Sequence, residues 1–318
     1  MTLQIYDAII YGKGGVTVRI LIDMDIGDDI DDALALYFAM RLDLDIVGIT
    51  TVFGDTEKRA RIAKKMLKTY GGKYADVPVV AGYGNDSDGF AGTYMCQYTD
   101  DLYDEIYAPD KGDAADFIID CCKKYGSDLA VLAIGPFTNI AKVVEKDKDI
   151  LNTVGRFAIM GGAYFKQYAD WNVMCDVESA AKMYENVSIL ECMGADVTHT
   201  LSIGDENSEK LKNLSHNDAA KYISSLYREC IVKSRIRCAF LHDPLVVYYA
   251  VNPEVCEMAE AAVCVMTDGP ARGLTLNVTA YGKARMNDYY KAYDLPKKIA
   301  VAKSIDAQKF IELFMNTL

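Results

Sequence analysis

The sequence predicts an α/β fold, a single domain built on a mostly parallel central sheet with helices on both faces. Short apolar runs rich in β-branched residues alternate with segments of helical period along most of the 318 residues, the pattern of strands joined by crossover helices. Those runs, such as Ile20-Leu-Ile22 and Leu129-Ala-Val-Leu-Ala-Ile134, do not alternate with polar residues, as expected of strands covered on both faces. No internal repeat, low-complexity tract or linker interrupts the chain, so one domain is expected over 1–318, with 1–15 read as a flexible N-terminal extension.

The elements follow in order. Residues 16–22 form the first strand, with Arg19 near its exposed start, and 33–40 the first helix. A second strand, 44–53, ends at Gly54-Asp55, where Asp55 can cap a helix over 56–70 that Gly71-Gly72 stops. Residues 78–81 read as a short strand, followed by a Gly- and Asp-rich loop, 82–98, without clear period, taken as a surface or lid segment. Asp113 caps a helix over 114–125, and the strand 128–134 runs into Gly135-Pro136 before a helix over 139–145. The strand 156–160 stops at Gly161-Gly162; 163–174 is irregular, 177–184 helical and 188–192 a strand. Residues 208–237 turn helical, and His242-Asp243-Pro244 opens a helix through 250, its Pro near the start where a missing N–H costs little. Late strands at 261–266 and 298–302 precede a closing amphipathic helix, 306–318.

Composition narrows the function. A formal net charge of −12 argues against nucleic acid or an anionic membrane surface as partner, since both require basic patches. A neutral small molecule is compatible. The nine cysteines show no C-x-x-C pair or metal-like spacing, which suits reduced thiols of the cytoplasm. No run of 18 or more apolar residues is present, and residues 1–15 lack the make-up of an export signal.

The chemistry gathers at Asp23-Met-Asp-Ile-Gly-Asp-Asp-Ile-Asp-Asp32, six carboxylates in ten residues between a buried strand and a helix. A crevice outside the carboxyl ends of the strands is where an α/β sheet binds ligands. So many carboxylates cannot ionise together without large repulsion, and oxygen donors suit a hard cation such as Ca²⁺ or Mg²⁺. An EF-hand is excluded, because its Gly and Glu would fall on Asp28 and Leu34. The other strand ends, at Asp55, Ile134-Gly-Pro136 and Met160-Gly-Gly162, and the helix start at His242-Asp243 could join the same site. His199 and His216 read as ordinary polar residues, and Trp171 and Phe53 as core or as stacking partners of a ligand.

Ile22-Asp-Met-Asp-Ile-Gly27 with Asp31-Asp-Ala-Leu-Ala-Leu36, Ile49-Thr-Thr-Val-Phe-Gly54, Gly135-Pro-Phe-Thr-Asn-Ile-Ala141, Met160-Gly-Gly-Ala163, Asp170-Trp-Asn172, His242-Asp-Pro244 and Ala271-Arg-Gly273 occur in this order. Together they resemble the nucleoside hydrolase family, the inosine–uridine-preferring N-ribohydrolases. The resemblance implies a Rossmann-like fold, a homodimer or homotetramer, a place in nucleoside salvage, and hydrolysis of ribonucleosides to ribose and free base. It implies one Ca²⁺ held by Asp25, Asp32, the backbone carbonyl of Ile134 and Asp243, with the ion also taking both ribose hydroxyls and a water. Asp25 would be the general base toward that water, Asp31 and Asn172 would hold the ribose hydroxyls, and Asp170 and Met160 would line the sugar. His242 matches a position associated with protonating the leaving base.

The chain departs from the family pattern at three places. Ile26 replaces the usual Pro, and a three-residue spacer, Asp28-Asp29-Ile30, replaces a single residue, which leaves Asp28 or Asp29 as alternatives to Asp31 or Asp32. Asp170 stands where Glu is usual and Asp55 where Asn is common, and both could retune the sugar subsite. Two rival readings remain: a haloacid dehalogenase-type Mg²⁺-dependent phosphatase, built on Asp23-Met-Asp25, and a catalytically impaired ribose- or nucleoside-binding protein on the same fold.

Overall fold

A computed structural model describes residues 18–84, 95–234, 238–279 and 295–318. Proposed features at 1–15, and most of the loop at 82–98, therefore lie outside the described residues. Among the described residues, the chain forms an α/β fold around a nine-stranded sheet of order β3-β2-β1-β4-β5-β6-β9-β7-β8. The strands are β1 Arg19–Met24, β2 Asp45–Thr51, β3 Val79–Ala81, β4 Leu129–Ala133, β5 Arg156–Met160, β6 Leu190–Met193, β7 Cys256–Val265, β8 Thr275–Asn277 and β9 Lys298–Ile305. Strands from β3 across to β9 are parallel, and β7 runs antiparallel to both β9 and β8.

The helices are α1 Asp31–Arg41, α2 Thr56–Tyr70, α3 Ala114–Tyr125, α4 Thr138–Lys146, α5 Trp171–Met174, α6 Val177–Asn186, α7 Ala195–Thr198, α8 Gly204–Lys212, α9 Asp218–Ser234, α10 His242–Val251 and α11 Ala307–Thr317. They cover both faces, and the side-chain alternation of each strand decides which core it feeds. Ile20, Ile22, Leu132 and Ala158 pack with α1, α2, α10 and α11 on one face. Leu21, Val131, Phe157 and Ile159 pack with α3, α4 and α6 on the other. The helix α1 is buried nearly all round, because it sits between the sheet and the outer helices and offers solvent almost nothing.

Aspartate caps fix three of the helix starts. Asp55 accepts from the Lys58 amide at 3.1 Å, Asp113 from Asp116 at 3.0 Å, and Asp306 from Lys309 at 3.1 Å. The helix expected over 208–237 is instead two, α8 and α9, separated at Asn213-Leu-Ser-His-Asn217, where Ser and Asn favour turns over continued helix. The irregular stretch 163–174 ends in the one-turn helix α5.

Sheet order sets the location of the site. The chain leaves β1 toward β2 and β3, then returns to place β4 on the other side of β1, so the carboxyl ends of β1 and β4 bound the switch point where α/β sheets bind ligands.

Candidate active site

The loop after β1 is built around one buried cation. Arg59, on α2 and fully buried, donates to the carbonyls of Phe53 at 2.6 Å and Ile26 at 3.1 Å, and also to that of Asp25. Its remaining nitrogen holds Asp28 Oδ2 at 2.7 Å, and Asp28 Oδ1 accepts the Met95 amide at 2.8 Å. Gly27 turns the loop at φ +140°, where a Cβ would meet Met95 Sδ at 3.0 Å and Arg59 Nη1 at 3.3 Å; only glycine fits both the conformation and the space. The Asp25 amide donates to Asp32 Oδ1 at 3.1 Å. Asp31 and Asp32 form the first turn of α1, which has no side-chain cap, so their carboxylates stand at the positive end of the helix. Of the two alternatives in the longer spacer, Asp28 is thus taken up by protein donors. Asp29 instead joins Asp31 and Asp32 in a group whose carboxylate oxygens lie within 4.8 Å of one another, a group that could hold a metal ion.

The other strand ends close the site. Asn172 Nδ2 donates to the carbonyls of Ile134 at 2.9 Å and Met160 at 3.2 Å, tying the ends of β4 and β5 to α5. Asp170 caps α5, accepting from the amides of Asn172 at 3.1 Å and Val173 at 3.4 Å. Gly135 permits the approach of Asp25, since a Cβ there would lie 2.8 Å from Asp25 Oδ1. At the start of α10, Asp243 is buried and His242 Nδ1 lies 2.7 Å from Thr198 Oγ1.

These segments enclose a cavity of about 350 Å³. Asp25, Asp29, Asp31, Asp32 and Asp243 line it together with Ile134, Met160, Asp170, Asn172 and His242. Asp55 does not line it; its carboxylate caps α2 and pairs with Lys58 at 2.8 Å. Trp171 is 52% exposed at the cavity wall and meets the buried Phe53 edge-on at 6.3 Å, so Phe53 is core and Trp171 is not. His199 and Tyr168 also line the cavity; in sequence His199 reads as an ordinary polar residue, and nothing marks Tyr168 out from the other tyrosines, 22 in all. Arg59 carried no signal either, because basic residues are common along a helix. A second hollow of about 320 Å³ lies at the opposite strand ends. Its charges are paired internally, Arg156 with Glu191 at 2.6 Å and Lys298 with Glu260 at 3.0 Å, so the chemistry favours the acid-lined cavity.

Burial dominates the electrostatics. It pushes Asp25 up to about 7 against the attraction of Arg59. Asp31, Asp32 and Asp243 rise well above the usual carboxylate range, first through burial and then through repulsion by neighbouring acids. Asp170 rises to about 6 through burial, moderated by the backbone N–H groups it accepts. Burial also pushes His242 down to about 4. Arg59 is the guanidinium facing this cluster, and it is already engaged by Asp28 and three carbonyls. Oxygen donors without a free counter-charge fit a hard cation.

Asp23 differs from its neighbours. It is fully buried outside the cavity lining, and its Oδ1 accepts from Thr50 Oγ1 and Asn139 Nδ2, both at 2.6 Å. A phosphatase nucleophile must reach substrate, and a carboxylate sealed in this way cannot.

Comparison with known proteins agrees with the geometry. Residues 20–312 match the family model described as inosine-uridine preferring nucleoside hydrolase. The chain is 27% identical to a probable uridine nucleosidase 2 of Arabidopsis thaliana, the match covering 94% of this chain and 97% of that protein. It is 25% identical to the pyrimidine-specific ribonucleoside hydrolase RihA of Shigella boydii, over 95% and 99% of the two chains. A solved plant nucleoside hydrolase superposes with a TM-score of 0.79 at 24% identity, over 95% of this chain and 98% of that one. A purine-preferring ribonucleoside hydrolase from Gardnerella vaginalis superposes at 0.74 and 24% identity, over 94% and 97%. With the model spanning residues 20–312 of 318, the chain belongs to the inosine–uridine preferring nucleoside hydrolase family.

Proposed function

We propose that this nucleoside hydrolase is Ca²⁺-dependent and cleaves the N-glycosidic bond of ribonucleosides with Asp25 as general base, as a step of base salvage. The observation that carries the reading is the convergence of Asp25, Asp31 and Asp32 with Asp243, from opposite ends of the chain, on one cavity. Asp25, Asp32, Asp243 and the Ile134 carbonyl would hold the ion, and Asp29 is the neighbour able to join them. When bound, Ca²⁺ would orient the ribose diol and acidify the attacking water.

The side chains supply the remaining steps. Departure of the base leaves oxocarbenium character on the sugar, which the surrounding carboxylates stabilise. Asp25 removes a proton from the water as it attacks the anomeric carbon. Its position is supported by Asp32 on its amide and Arg59 on its carbonyl. Asp31 and Asn172 are the proposed partners of the ribose hydroxyls. Asn172 Nδ2 is engaged by Ile134 and Met160, so its Oδ1 is the atom left to accept from the sugar. Asp170 and Met160 line the sugar, Trp171 stands at the cavity wall, and His242 faces the leaving base.

The test is a panel of purine and pyrimidine ribonucleosides, uridine first because curated relatives are named for it. Reducing sugar should be released, and Ca²⁺ chelation should abolish the release. Asp25→Asn should lower kcat/KM by ~10²–10⁴, the usual worth of a positioned base. Full activity in excess chelator would overturn the calcium assignment, and full activity of the Asn variant would overturn the base.

A further inference from the structure

The two ring nitrogens of His242 have different surroundings. Nδ1 lies 2.7 Å from Thr198 Oγ1. Nε2 has no protein partner among the described residues, and His242 lines the cavity. The ring plane is held by neighbours: Phe240 stacks on it at 5.5 Å with 25° between planes, and His199 meets it edge-on at 5.4 Å.

Thr198 ends the four-residue helix α7 and is fully buried. A hydroxyl has one proton to donate, and in a helical turn it is commonly handed to the carbonyl four residues back. Here that carbonyl, Gly194 O, already accepts the amides of Val197 at 3.0 Å and Thr198 at 3.1 Å. The one partner of Thr198 Oγ1 among the described residues is His242 Nδ1. Donation to Nδ1 is thus the one way in which the described residues can satisfy the hydroxyl's proton. An imidazole that accepts at Nδ1 carries its single proton on Nε2.

We propose that Thr198 is a positioning residue, whose hydroxyl fixes neutral His242 as the Nε2–H tautomer and so aims an N–H at the leaving base. The assignment of the tautomer stands on the hydrogen bond alone; its use in catalysis rests on the nucleoside hydrolase reading above. As the bond from the anomeric carbon to the base nitrogen breaks, its electron pair stays with the base, and charge builds on the ring acceptors. The Nε2–H donates a hydrogen bond to that charge without transferring its proton, and the released base takes up a proton from water. Discharge of the imidazole to an anion is avoided, and the histidine ends the cycle as it began.

The test uses the full chain with Thr198→Val, which keeps shape but loses the donor, and Thr198→Ser, which keeps it. Nitrogen-15 NMR of His242 should show the Nε2–H tautomer in the wild type and the Ser variant, and a mixture in the Val variant. On uridine or inosine the Val variant should lose ~10-fold or more in kcat with Ser restoring it, whereas p-nitrophenyl riboside, whose leaving group needs no help, should change by less than ~3-fold. The Nδ1–H tautomer in the wild type, an equal loss on both substrates, or full ribonucleoside activity of the Val variant would overturn the proposal. If the wild type cleaves neither substrate, the nucleoside hydrolase chemistry fails, and the NMR result still decides the role of Thr198.

Discussion

Arg59 is fully buried, and its guanidinium serves three main-chain carbonyls and one carboxylate. Removing a buried charge that satisfies so many acceptors leaves them unpaired. Arg59→Met should therefore cost about 3 kcal/mol of unfolding free energy by denaturant titration. Asp28→Asn, at a partly exposed carboxylate that keeps its shape, should cost about 1 kcal/mol or less. An equal cost for the two would mean that the carbonyl contacts contribute nothing. At this scale the sequence was readable where a residue type has few uses. Paired aspartates after a buried strand, a His-Asp at a helix start and an Asn after Asp-Trp all meet in one cavity. Residues with many ordinary uses stayed hidden. An arginine on a helix, a threonine in a short turn and a second histidine say nothing until packing brings them beside the site.

Among the elements, α2 and α3 run from Thr56 to Tyr70 and from Ala114 to Tyr125 as expected, because an aspartate caps each start and glycine follows each end. The strand β5 also kept its expected bounds. What sequence did not reveal was short or context-made. The strand β8 has three residues and, among the described residues, pairs with β7 alone, and α5 and α7 have four residues each, too few for any period to register. The second and longer half of the expected helix 208–237 survives as α9 because its apolar residues keep helical spacing. Asp55 offers a test at this level, since it was weighed both as a cap and as a sugar contact. Asp55→Ala should lower stability by about 1 kcal/mol, the usual cost of a lost cap, and leave the KM for ribonucleoside unchanged. A raised KM with unchanged melting temperature would reverse that assignment.

For the whole molecule, buried acids in and behind the cavity make stability depend on pH in an unusual direction. Asp23 and Asp25 have values raised from 3.8 to about 7 in the fold. A raised carboxyl binds its proton more tightly folded than unfolded. Its contribution is therefore complete below about 4 and is lost as pH rises through about 7. The ion-free protein should melt at a higher temperature near pH 5 than near pH 7.5, in scanning calorimetry with chelator present. A ligand that binds only the folded state stabilises by mass action, so Ca²⁺ at pH 7.5 should remove most of the difference. A melting temperature that rises with pH in chelator would contradict the raised values. No helix among the described residues is long and apolar enough to cross a membrane.

The guanidinium that clasps the loop after β1 also limits what a protein engineer can graft. Cutting two residues from the spacer, to imitate the shorter family turn, would displace the Asp25 and Ile26 carbonyls together with Asp28 and leave the buried guanidinium without most of its acceptors. Residue 59 and the spacer thus form one transplantable unit: a chimera that exchanges the loop alone should fold poorly, and one that exchanges both should recover.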